Sequence, residues 1–293
     1  MTRFLLFLLL LAGGLSGCLD HRIPSITPGL PVTRLRVKKL TYESANNRTY
    51  VYLFGYDGQG RLYTLNSYQT PDSSMDGMLR GIYFYDDQNR LTGFRRTGKS
   101  GQTESYGYYY NTEGQLRQIS HSGGLTWFYA YTETNQLATA KLSFVHPRFT
   151  IRGGIKFGFT GNNLTQTTGG TTMRFLGMPE DTSGEFPGPV TTYTHDDKLN
   201  PFYGVFVIPS PIPYFTNVLI SPGSPGAVFG GFDDNHTLSQ NNVVTETLPG
   251  SKTTYQYQYN AANLPTVRIK TRTDTQPYEG VSVETLRFEY ESY

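Results

Sequence analysis

One nine-residue pattern returns along most of this chain and constrains its fold more than any other feature. An aromatic strand enters a polar turn, and a leucine leads the chain back. Phe54-Gly55-Tyr56-Asp57-Gly58-Gln59-Gly60-Arg61-Leu62, Tyr83-Phe84-Tyr85-Asp86-Asp87-Gln88-Asn89-Arg90-Leu91 and Tyr108-Tyr109-Tyr110-Asn111-Thr112-Glu113-Gly114-Gln115-Leu116 share one spacing. Tyr129-Ala130-Tyr131-Thr132-Glu133-Thr134-Asn135-Gln136-Leu137 follows. Residues 157–164 and 257–264 carry the pattern one residue shorter, and 193–199 and 232–238 are looser copies. Each position has a mechanical role. The Asp or Asn after the last aromatic can accept backbone N–H groups two or more residues on, which closes an Asx turn. The Gly or Asn three places later can take positive φ, as bulged hairpins require. Before the turn, Tyr106, Tyr108 and Tyr110 share one face, as do Trp127, Tyr129 and Tyr131. The unit is therefore a β-hairpin, and closing aromatics 21 to 29 residues apart suit two strands and two turns each.

Composition agrees. The 32 Gly and 17 Pro disfavour helix, while 14% aromatic against 16% charged residues suits pleated sheet rather than disorder. The expected fold is all-β, an antiparallel meander of hairpins forming a strongly curled sheet or soluble barrel. Residues 32–42 and 48–56 make its first hairpin, and residues 281–290 pair with 266–273 and reach back to the first strand. A membrane-spanning barrel is disfavoured, because Arg34, Arg36 and Lys38 line one face of the first strand. A net charge of +2 without a basic run argues against nucleic acid as a partner.

The N-terminus sets the expected address. Arg3 precedes an apolar run over residues 4–12, too short to span a bilayer and suited to a signal peptide over residues 1–17. Leu15-Ser16-Gly17-Cys18 resembles the bacterial lipobox, which implies that Cys18 carries acyl chains and holds the protein to membrane lipid. Cys18 is the single cysteine, so the chain forms no internal disulfide. Residues 18–31 read as a tether, leaving one β domain over 32–293.

At its repeats the chain resembles the YD-repeat proteins, whose signature Tyr-Asp-x-x-Gly-Arg-Leu is matched in full by residues 56–62. It is similar to secreted lipoproteins of Bacteroidetes-type bacteria with degenerate YD-like hairpins, including a porin-like β domain family of unknown function. Asp197-Lys198-Leu199-Asn200-Pro201-Phe202-Tyr203 looks like a segment those proteins share. The resemblance implies a curled antiparallel sheet on a lipid anchor in the cell envelope, at the outer membrane, and brings no catalytic residues.

Between about 168 and 251 the rhythm gives way to a Gly-, Thr- and Pro-rich insertion where regular strands are not expected. Its apolar part, with Phe202, Tyr203, Phe206, Tyr214 and Phe215, reads either as a plug over the sheet or as a partner-binding loop. Trp127, Tyr129, Tyr131, Tyr108 and Tyr110 would stack on sugar rings if exposed and would be core if inward. The paired acids at 86–87, 196–197 and 233–234 fit turns better than calcium loops. No two of the five histidines have metal-ligand spacing, and neither HExxH nor, in the mature chain, GxSxG occurs. Neither catalytic residue, cofactor nor metal is therefore expected. Two functions remain: a non-catalytic envelope module that binds or assembles with a glycan or envelope protein, and a polysaccharide hydrolase with a carboxylate pair assembled by the fold.

Overall fold

A computed structural model describes residues 35–45, 48–71, 79–98, 101, 103–175, 177, 188–203, 234–275 and 279–293. Cys18, the tether, and Phe206, Tyr214 and Phe215 lie outside the described residues. The first half holds β1 (Leu35–Glu43), β2 (Thr49–Tyr56), β3 (Leu62–Thr70), β4 (Leu79–Tyr85), β5 (Leu91–Gly98), β6 (Thr103–Tyr110), β7 (Leu116–His121) and β8 (Thr126–Tyr131). The second holds β9 (Leu137–His146), β10 (Phe149–Thr160), β11 (Asn163–Phe175), β12 (Val190–Leu199), β13 (Asn241–Leu248), β14 (Ser251–Tyr259), β15 (Pro265–Asp274) and β16 (Gly280–Ser292). Each strand pairs antiparallel with its neighbours in sequence, and β16 returns to β1, so the meander closes into a barrel without edges.

The repeat explains the hairpins in atomic detail. Asp57 Oδ1 accepts the N–H groups of Gln59 and Arg61, each at 2.9 Å, and Asp86 does the same for Gln88 and Arg90. Gly60, Asn89, Gly114, Asn135 and Asn263 all have φ between 59° and 80°, as the spacing predicts. At every closing aromatic the ladder slips, at Gly55/Tyr56, Phe84/Tyr85, Tyr109/Tyr110, Ala130/Tyr131 and Gln258/Tyr259. Such a slip disrupts the ladder locally, and tyrosines of the hairpins take up carbonyls beside it. Tyr85 Oη donates to Leu62 O at 2.7 Å, Tyr110 to Leu91 O at 2.8 Å, and Tyr131 to Leu116 O at 2.9 Å. Each bond ties one hairpin to the one before it. In the copy at 257–264, Leu264 occupies the place of Arg61 and Pro265 that of Leu62, so Tyr290 donates to Pro265 O.

The inward rows form one core containing Leu40, Leu65, Phe94, Ile119, Leu125, Trp127, Ile151 and Leu286. Tyr83, Phe94, Tyr106 and His121 sit on successive strands, with ring centroids 4.6, 5.8 and 4.6 Å apart. Such tilted pairs add about 1 kcal/mol each to the gain from burial. Gly81 lies on the same face, and a Cβ there would meet the Phe94 ring at 2.8 Å.

Two expectations are corrected. Regular strands do enter the 168–251 region, because β11 extends to Phe175 and β12 and β13 fall inside it. Their Thr, Asn and Asp side chains bond across the sheet, as Thr194 Oγ1 does with Thr245 Oγ1 at 2.6 Å. Lys38 does not continue the outward row of Arg36, because the register shifts between Val37 and Lys39. Lys39 takes that place, and the seam outside carries Arg36–Glu291 at 2.7 Å, Lys39–Glu289 at 2.8 Å and Arg287–Glu43 at 2.8 Å.

Candidate functional site

Two polar clusters are built into the barrel wall. In the first, Arg96 follows inward Phe94 by two residues and Glu104 precedes inward Tyr106 by two, so strand parity turns both charges into the core. The Arg96 guanidinium bonds Glu104 Oε2, and His121 Nε2 stands 3.7 Å from the same oxygen. His121 Nδ1 accepts the Gly123 N–H at 3.0 Å, which places the ring proton on Nε2, facing the carboxylate. Burial pushes the Glu104 carboxyl up, but His121 and Arg96 outweigh it and hold it below the usual range. An ionised, ion-paired carboxylate is the wrong form for a general acid.

Beside this group the hydroxyls of Tyr83, Tyr108 and Tyr129 and the indole N–H of Trp127 are buried with no hydrogen-bond partner. Burial above all, with neighbouring phenols adding to it, pushes the pKa of all three tyrosines upward. Trp127 is 0% exposed, so the rings of Trp127, Tyr108 and Tyr129 are core and offer no stacking surface. Tyr110 and Tyr131 are the half-buried rim tyrosines whose hydroxyls bond Leu91 and Leu116. The five proposed platform residues are thus divided between core and rim.

The second cluster gathers where β12 ends, around a short 3-10 helix at Asp234–Leu238. Asn200 Nδ2 donates to His236 O at 2.7 Å and to Ser239 O at 3.1 Å, while its Oδ1 accepts the Phe202 N–H at 3.0 Å. Phe202 then inserts between Phe54 and Phe288, at 6.0 and 6.2 Å. Of the proposed partner loop, Phe202 is therefore core and Tyr203 is 37% exposed. His195 Nε2 lies 3.0 Å from Ser239 Oγ, the arrangement of a base and a nucleophile. Yet Ser239 is 0% exposed and its Oγ also accepts the Leu164 N–H at 3.0 Å, which makes it a fastening for β11. Burial first, then His236, pushes the His195 pKa down. Glu246 accepts from Tyr255 at 3.1 Å with His236 Nε2 3.5 Å away, and Asp196 bonds Tyr259. Glu104, Glu246 and Asp196 thus each serve a different set of partners. Among the described residues no three His, Cys, Asp or Glu side chains gather to hold a metal ion.

Sequence reasoning missed both clusters. The available signal was parity: Arg96, Glu104 and His121 each lie two residues from an inward Phe, Tyr or Ile.

No protein-family model matches the chain, and no curated protein does. Among solved structures it is similar to a porin-like protein from Bacteroides uniformis, with a TM-score of 0.54 and 13% identity over 87% of this chain and 98% of that one. A TcdB2-TccC3-Cdc42 complex aligns at a TM-score of 0.28 and 12% identity, covering 80% of this chain and 15% of that one. At these identities the first likeness concerns the fold alone.

Proposed function

We propose that this chain is a lipid-anchored lipoprotein of the bacterial outer membrane, of the degenerate YD-repeat kind. Its barrel acts as a non-catalytic module that binds or assembles with an envelope partner, glycan or protein. One observation carries this reading: the ion pairs along the closing seam. From Arg36 to Glu43 they cover seven residue steps of β1, about 23 Å of strand. A spanning barrel needs an uncharged outward band about 25 Å tall, so this seam suits a barrel outside the bilayer, held by Cys18. The buried core and, among the described residues, the engagement of Glu104, Glu246 and Asp196 with separate sets of partners support binding over catalysis. Metabolic labelling with a palmitate analogue tests the anchor. Label and membrane association should be found in the wild type and lost in Cys18→Ala; equal labelling of both would overturn the reading. In-cell cross-linking with mass spectrometry then identifies what the anchored barrel meets.

A further inference from the structure

Charge is divided unevenly around the barrel. Residues 91–175, which hold β5 to β11, contain nine basic and three acidic residues, whereas the rest of the chain from Cys18 onward contains fifteen and twenty. Consecutive antiparallel pairing lays β5 to β11 side by side as one wall, an arc of about 30 Å at the usual strand spacing. Of the three acids, Glu104 faces inward against Arg96, and Glu113 and Glu133 sit in turns at the rim. Arg95, Arg117, Lys141, Arg148, Arg152 and Lys156 are all exposed. Apolar side chains stand among them: Phe84 is 42% exposed, Tyr109 48%, Phe128 45% and Val145 75%. The register places Tyr109, Gln118, Phe128 and Lys141 on one outward rung, with Arg95 beside the Phe84 ring at 5.5 Å.

We infer that the outer wall of β5 to β11 docks on an anionic phospholipid surface, the leaflet that holds the anchor. Basic side chains interleaved with exposed aromatics are the chemistry of a peripheral lipid-binding face, cations meeting phosphates and rings entering the headgroup layer. The inference rests on the anchor proposed above, which keeps the barrel at a membrane. The seventeen residue steps from Cys18 to Leu35 reach up to about 55 Å, enough for the wall to meet the bilayer.

The test uses the full mature chain from residue 18 with Cys18→Ser, so that no acyl chain contributes, in co-sedimentation with phosphatidylcholine vesicles with or without phosphatidylglycerol. Binding should require the anionic lipid and fall steeply with salt. Each basic residue at such a surface contributes about fivefold in partitioning, so Arg117→Gln with Lys156→Gln should lower it by about 30-fold. Lys38→Gln with Lys252→Gln makes the same change in net charge on the other side and should leave partitioning unaltered. Equal binding to both vesicle types, an equal loss in the control pair, or binding to an acidic polysaccharide with none to vesicles would each overturn the inference. The anchor fails separately: loss of palmitate labelling at Cys18 removes the tether without altering these measurements.

Discussion

The tyrosine bonds between hairpins make a prediction in which the sign of a mutation reverses with pH. Tyr85 Oη donates to Leu62 O at 2.7 Å, and burial, opposed by Arg61 and assisted by Asp57, pushes its pKa from the usual 10 up to about 12. In Tyr85→Phe the ring remains and the bond is lost, which costs about 1 kcal/mol near neutrality. A group whose folded pKa is raised contributes stability that is complete below the unfolded value and is lost as pH rises towards the folded one. At about pH 11, a phenol of pKa 10 unfolded and 12 folded costs the wild type about 1.4 kcal/mol relative to neutral pH. Phenylalanine bears no such cost. The two stability curves should therefore converge and cross near pH 11, within about half a unit. Urea unfolding of both proteins at several pH values between 7 and 11, followed by circular dichroism with a common m value, gives the comparison. Tyr109→Phe, whose ring is 48% exposed, is the control and should show no deficit at neutral pH. A Tyr85→Phe deficit that stayed constant or grew up to pH 11 would refute the linkage, and the absence of a neutral-pH deficit would refute the bond.

Other predictions follow from the interior and the turns. Glu104→Ala leaves the buried Arg96 guanidinium without its carboxylate and should cost about 3–5 kcal/mol in urea unfolding, whereas Arg96→Leu with Glu104→Leu should cost far less. Because the Glu104 pKa is lowered, its contribution is present above the ordinary carboxylate range and lost below it, so the Leu pair should unfold less readily in acid than the wild type does. At Gly114, with φ of 80° and open space around its Cβ position, Asn should be nearly neutral and Val should lower stability by more than about 1 kcal/mol, as measured by thermal unfolding. Trp127, the single tryptophan, should emit to the blue and resist acrylamide until urea opens the barrel; a quenchable native protein would place it outside the core.

Legibility in the sequence tracked how local the physics is. The turns were readable because Asp57 and Gly60 act on a backbone only a few residues away. The closing pair of strands was readable because Leu286 and Phe288 announce an inward face, at 2% and 8% exposure. β12 was not, since Val190–Leu199 is held by cross-strand Thr and Asx bonds that leave no apolar alternation. Arg96 and Glu104 resemble surface charges until the parity of their strands is set by Phe94 and Tyr106. The basic wall was hidden for another reason: its members are spread over residues 95–156 and become neighbours only when seven strands lie side by side. Ser239 and His195, 44 residues apart, likewise meet only through the turn around Asn200.

The ring closes between its first strand and its last, with Leu35 opposite Ser292, and this has a mechanical consequence. Any pull arriving through Cys18 reaches the barrel at the start of β1. In an open meander that strand would have one neighbour and would peel away from it a rung at a time. Here β1 is bonded along one side to β2 and along the other to β16, with three ion pairs across the second join. Load entering at residue 35 meets the β16 flank first and, from Lys39 onward, the β2 flank as well, so freeing the whole strand requires both to give way. With the anchor proposed at Cys18, the seam that completes the barrel would also be its point of suspension, three ion pairs reinforcing the strand that takes up the tension.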